Sequence, residues 1–166
     1  EGIQLKDPGS WNTQILLCED VTIRRVKLLN NPKLPNTDGF DPDATKRMVI
    51  EDCFAYCGDD NVAIKQTRYA GMVGDVEDIT IRGCVFLTQK SSLKVGTESQ
   101  GERMKNILFE NNDVLEADRG MALYSLDGSI YENIIYRNNR FERNYPDAQQ
   151  KYFHFQAKRR NPDKTA

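Results

Sequence analysis

Long apolar runs are largely missing from this chain of 166 residues. The longest uninterrupted aliphatic stretch is Ile15 to Cys18, far short of the roughly 20 residues that cross a bilayer, so no membrane partner is expected. Charge of one sign is missing too. The 25 acidic residues nearly balance the 23 basic ones, the formal net charge is -2, and the signs are intermixed. That disfavours a nucleic-acid partner. There is one histidine, His154, and the four cysteines, Cys18, Cys53, Cys57 and Cys84, form no Cys-x-x-Cys pair. A zinc pattern is therefore excluded, and buried free thiols are the expectation. No dozen residues hold a 3.6-residue apolar stripe, which argues against helical repeats. Glu1-Gly2-Ile3-Gln4-Leu5 lacks the basic start and apolar stretch of a signal peptide.

What the chain does contain is a repeat. Alternating segments recur at Val21-Thr22-Ile23, Met48-Val49-Ile50, Ile79-Thr80-Ile81, Ile107-Leu108-Phe109 and Ile134-Ile135-Tyr136, separated by 27, 31, 28 and 27 residues. A second short strand follows in most repeats, at Asn61–Lys65, Ser92–Val95, Gly120–Tyr124 and Tyr152–Phe155. Period-two alternation marks both as strands. A propeller blade needs about 40 residues, so the shorter period favours an all-β solenoid, a parallel β-helix with one coil per repeat. Coils stack at about 4.8 Å, so equivalent residues should form ladders, Cys53 over Cys84 and Asn111-Asn112 over Asn138-Asn139. Neither end carries a cap signal. Residues 1–166 therefore read as part of a single β-helix domain, five to six coils from the middle of a longer helix, with both caps missing.

Most acidic residues at ordinary spacing are solvated. One group differs, because Asn36-Thr37-Asp38-Gly39 precedes Gly58-Asp59-Asp60 by about one coil. Stacking should bring Asp38 next to Asp59 and Asp60, and three packed carboxylates should leave at least one holding its proton unusually tightly. Glycoside hydrolysis needs such a set: a protonated carboxyl for the leaving oxygen and a carboxylate to activate water or attack carbon. Asp41-Pro42-Asp43 lacks the glycine and distal Glu of a calcium loop. Trp11, Phe40, Tyr56 and Tyr69 are available as sugar platforms.

These motifs on a β-helix repeat resemble glycoside hydrolase family 28, the polygalacturonases and their relatives. The resemblance implies a right-handed parallel β-helix that hydrolyses pectic or related polysaccharides by inversion, without a metal or other cofactor, outside the cell or in the periplasm. It implies Asp59 as general acid, Asp38 and Asp60 as the pair that activates water, and Asn36 as a polar neighbour. Inverting enzymes ordinarily keep acid and base about 6.5 to 9.5 Å apart, the separation expected here. A monomer acting on a polysaccharide or oligosaccharide is expected.

Two family motifs depart. Where the family has Gly-His-Gly, this chain has Lys90-Ser91-Ser92, and where it has Arg-Ile-Lys, which grips a galacturonate carboxylate, Ala122 and Tyr124 replace the two basic residues. Lys65, Lys94, Arg119 and Tyr124 are the candidate substrate-binding residues on the same face. His154, between Phe153 and Phe155, is read as structural. Two other readings stay open: a calcium-dependent polysaccharide lyase, and a non-catalytic carbohydrate-binding or structural β-helix.

Overall fold

The computed structural model describes residues 1–142 and 150–160. Its first turn comprises β1 (Gln4–Lys6), β2 (Thr13–Leu16) and β3 (Glu19–Arg24), and the second β4 (Lys27–Leu29), β5 (Phe40–Asp43) and β6 (Lys46–Glu51). The third holds β7 (Phe54–Cys57), β8 (Val62–Gln66) and β9 (Val76–Arg82), and the fourth β10 (Val85–Thr88), β11 (Ser91–Ser99) and β12 (Arg103–Glu110). The fifth holds β13 (Asp113–Glu116), β14 (Arg119–Ser125) and β15 (Ile130–Arg137), followed by β16 (Arg140–Phe141) and β17 (Lys151–Ala157). Every third strand pairs in parallel with the one a turn away, giving three sheets along the axis. This is a parallel β-helix. The last six residues of the polar tail, 161–166, lie outside the described residues.

The repeat read from the sequence is the register of the sheet built from β3, β6, β9, β12 and β15. Val21 pairs with Met48, Met48 with Ile79, Ile79 with Ile107 and Ile107 with Ile134. Each repeat holds three strands rather than two. The extra one, such as β7, is separated from its predecessor by only two residues, so its short alternation merges with the preceding one. The turn between them carries a left-handed residue in every coil: Arg25, Asp52, Gly83, Asn111 and Asn138, with φ between 52° and 62°. Asp, Asn and Gly tolerate that conformation best, which is why these types recur after the apolar segments.

Alternate residues of all three sheets point inward. Met48, Ile50, Ile79, Ile81, Ile107 and Phe109 meet Leu28, Ala55 and Phe86 from the second sheet and Phe40, Val62, Ile64 and Leu93 from the third, all fully buried. Phe40 is thus core and not a platform. Cys53, Cys57 and Cys84 are buried free thiols, but Cys18 is exposed in the two-residue link between β2 and β3, where no inner face is available.

The two expected ladders are one continuous ladder along the turn. The backbone N–H of Val26 donates to Cys53 Sγ and that of Cys53 to Cys84 Sγ, both at 3.4 Å. The Cys84 N–H donates to Asn112 Oδ1 at 3.0 Å and the Asn112 N–H to Asn139 Oδ1 at 3.1 Å. Asn112 also donates from Nδ2 to the Ile81 carbonyl at 3.1 Å. Replacing Asn112→Ala strands a buried N–H and a buried carbonyl, and should lower stability by about 1–3 kcal/mol. An unchanged denaturation midpoint would contradict the ladder's role.

Candidate active site

The candidate site lies on the outer face of the sheet formed by β2, β5, β8, β11, β14 and β17. Asp38 is the second-last residue of the loop 30–39 that enters β5, and Asp59 and Asp60 lie in the turn between β7 and β8. Loop and turn are clasped together. Gly39 N donates to the Asp60 carbonyl at 2.8 Å, Gly58 N to Thr37 Oγ1 at 3.1 Å, and Asn30 Nδ2 to the Thr37 and Asp38 carbonyls at 2.9 and 3.0 Å. A Cβ on Gly58 would lie 2.4 Å from the Leu34 carbonyl oxygen, and one on Gly39 would lie 2.4 Å from that of Asn61. Only glycine permits these approaches. The glycines beside the acids are what let the coils close up.

This clasp brings Asp38, Asp59 and Asp60 together, with one carboxylate oxygen of each within 4.8 Å of the others. The wide separation expected of an inverting pair is not found between these nearest oxygens. The gap follows from the fold: Asp38 stands one turn from an adjacent pair, so the separation approximates the stacking distance of the coils.

The three acids are not equivalent. Lys65 Nζ reaches Asp38 Oδ2 at 3.1 Å and Asp41 Oδ1 at 3.0 Å, the latter an ion pair without hydrogen-bond alignment. Lys94 Nζ reaches Asp60 Oδ2 at 2.5 Å, while Asp60 Oδ1 accepts from Ser91 N at 2.9 Å. Asp59, half-buried, accepts only backbone donors, from Asn36 N at 3.1 Å and Asp60 N at 3.0 Å, and pairs with no cation among the described residues. Thr88 Oγ1 grips the Asp59 carbonyl. Two carboxylates are therefore held by lysine, and the third is only partly buried.

Burial, reinforced by the charges of Asp60 and Asp59, outweighs the Lys65 cation and pushes Asp38 up to about 6. Burial likewise raises Asp41, which is fully buried, well above the usual carboxylate range. Burial opposes the charge of Lys65, but Asp41 and Asp38 together overcome it and raise its proton affinity.

Of the residues expected to meet substrate, Lys65 is displaced. It is 2 % exposed, with Trp11 over its ammonium, and serves the acids rather than the surface. Lys94 is likewise committed to Asp60, its ammonium 5.6 Å from the Tyr124 ring centroid. Arg119 pairs with Asp118 at 3.0 Å, not with the acid triad. Asn36 contributes its backbone, in a left-handed conformation, not its side chain. Tyr124 Oη lies 2.7 Å from His154 Nδ1. His154, half-buried, is in register with Ala122 and, through it, with Lys94 on the face that carries the acids. Asp41 escaped the sequence reading. Its signal was register, since Asp41 occupies the outward position of β5 that β11 fills with Lys94.

Residues 1–157 match the pattern of glycosyl hydrolases family 28. The chain belongs to this family. It is 36% identical over 125 residues to a Vitis vinifera protein named "Probable polygalacturonase", an overlap of 73% of this chain and 25% of that protein. It is 27% identical over 129 residues to a Juniperus ashei polygalacturonase, covering 64% of this chain and 25% of that protein. A hyperthermoactive exopolygalacturonase from Thermotoga maritima superposes with a TM-score of 0.77 at 25% identity, over 98% of this chain and 36% of that one. The chain spans about a quarter of the length of these curated relatives.

In this family 28 chain the electrostatics of Asp38 have a consequence for folding. Its proton is held more tightly in the folded state than at the ordinary value of 3.8, so folding takes up a proton between about pH 4 and 6. The stability this group contributes is therefore present below about pH 4 and lost as pH rises through 6. Asp38→Asn, neutral throughout, should gain stability relative to wild type between pH 4 and 7 by on the order of 1–3 kcal/mol. Parallel denaturation curves across that range would contradict the raised proton affinity.

Proposed function

We propose that this chain carries the catalytic centre of a hydrolase of pectic or related polysaccharides acting outside the cell. The observation that carries the reading is the asymmetric triad, two carboxylates held by lysines and a third that is partly exposed and pairs with no cation among the described residues. Asp59 gives its proton to the leaving glycosidic oxygen. Asp38 and Asp60 hold the attacking water, since oxygens within 4.8 Å of each other can both accept from one water at about 2.7 Å. Above about pH 6, where Asp38 is ionised, loss of the water's proton to Asp38, as the glycosidic oxygen takes one from Asp59, balances the step.

At this separation the general distance rule reads as retention. We infer inversion because neither held acid is a good nucleophile. Both oxygens of Asp60 are engaged by Lys94 and Ser91, and Asp38 is 3 % exposed behind Lys65. The same lysines weigh against a calcium-dependent lyase, because a divalent cation at the triad would have to displace or repel both ammonium groups. The clamp for an acidic sugar is absent at Ala122 and Tyr124, so the polymer is defined by its glycosidic chemistry and not by a uronate.

The test is release of reducing ends from a panel of pectic and neutral polysaccharides by the full-length protein, beside Asp59→Asn. Loss of the acid should cut kcat at least about a hundredfold on the polymer that is cleaved. Equal rates in both, or no cleavage of any polymer, would contradict the proposal.

A further inference from the structure

The chain's single tryptophan stands in the link between β1 and β2, one turn before the loop that carries Asp38. Its position is fixed by its neighbour: Asn12 N donates to the Asp38 carbonyl at 3.1 Å and Asn12 Nδ2 to Asn30 Oδ1 at 2.6 Å. One face of the Trp11 ring lies on the Lys65 ammonium, 3.3 Å from its centroid, and that ammonium bonds Asp38. The side chain is only half-buried, and its indole N–H has no partner among the described residues. A large apolar ring, held rigid beside a cluster of charges and left partly open, is what a sugar-binding subsite offers: a flat face for pyranose C–H groups and a donor for a ring substituent.

The geometry points to Trp11 as a platform for one pyranose unit of the polymer, next to the triad on the side of the first turn, with Lys65 linking the occupied platform to Asp38. This rests on reading the triad as a hydrolase, and it adds a subsite that none of the acids supplies. The chain would then lie along the solenoid axis, one unit over Trp11 and the scissile bond at Asp59. A ring that served only as a cover for the buried Lys65 and Asp41 would protect stability but would not respond to sugar.

The test is a tryptophan-emission titration of the full-length Asp59→Asn protein with trigalacturonate, its methyl ester and a neutral galactotriose, each repeated in a background that also carries Trp11→Phe. The expected result is a saturable change with at least one trisaccharide that is lost when Trp11 is replaced. In the otherwise wild-type protein, Trp11→Ala should raise KM about tenfold, more than it lowers kcat, and Trp11→Tyr should recover most of that loss. No emission change with any of the three, or a Trp11→Ala effect confined to kcat or to stability, would overturn the platform. A wild-type protein whose Trp11 signal responds but which releases no reducing ends would overturn the hydrolase reading and leave the platform standing. Cleavage that proceeds with a silent Trp11 would do the reverse.

Discussion

The distance between stacked coils governs this molecule. Parallel pairing from turn to turn fixes a rise of about 4.8 Å, and everything equivalent in the repeat is brought to that spacing. The thiols and amides of the turn become a ladder at that spacing, and so do the apolar side chains of the interior. Asp38 and the Asp59-Asp60 pair obey the same rule. Their proximity is not a local contrivance of a loop; it follows from placing acids at one corner of successive turns and using Gly39 and Gly58 to let those turns touch.

Such proximity carries an electrostatic cost. Three carboxylates within 4.8 Å and largely out of water repel, and burial alone disfavours each charge. The structure offsets this with two lysines from neighbouring strands of the same sheet. The offset is incomplete, because burial outweighs the Lys65 cation, and the result is the raised proton affinity of Asp38 and Asp41. A buried ion pair of this kind adds little net stability, since desolvation consumes most of the attraction. Its value here is positional: it fixes two acids and leaves the third open.

The sequence discloses a good part of this and stops at identifiable places. The register of the sheet built from β3, β6, β9, β12 and β15 is legible because Val21, Met48, Ile79, Ile107 and Ile134 repeat a pattern that burial enforces on one face. The triad is legible for the same reason, one period separating its parts. The strand β7 and its equivalents are not, because three or four residues beside a left-handed turn leave no separate alternation. The fate of Lys65 is also hidden, since period two says that it points outward from β8 but not that Trp11 folds over it. Asp41 is missed as a neighbour of the triad because its partner Lys65 lies in the next turn, and Asp41-Pro42-Asp43 by itself raises only the question of a calcium loop.

The central claim is that Asp38 and Asp60, held by lysine, present water rather than attack the sugar themselves. Proton NMR of the first turnover products, recorded before mutarotation on the polymer the full-length protein cleaves, tests it directly. The account predicts that the newly formed reducing end has the anomeric configuration opposite to that of the bond broken. Product of the same configuration would mean that one of these carboxylates had formed a covalent bond to carbon, and would contradict it.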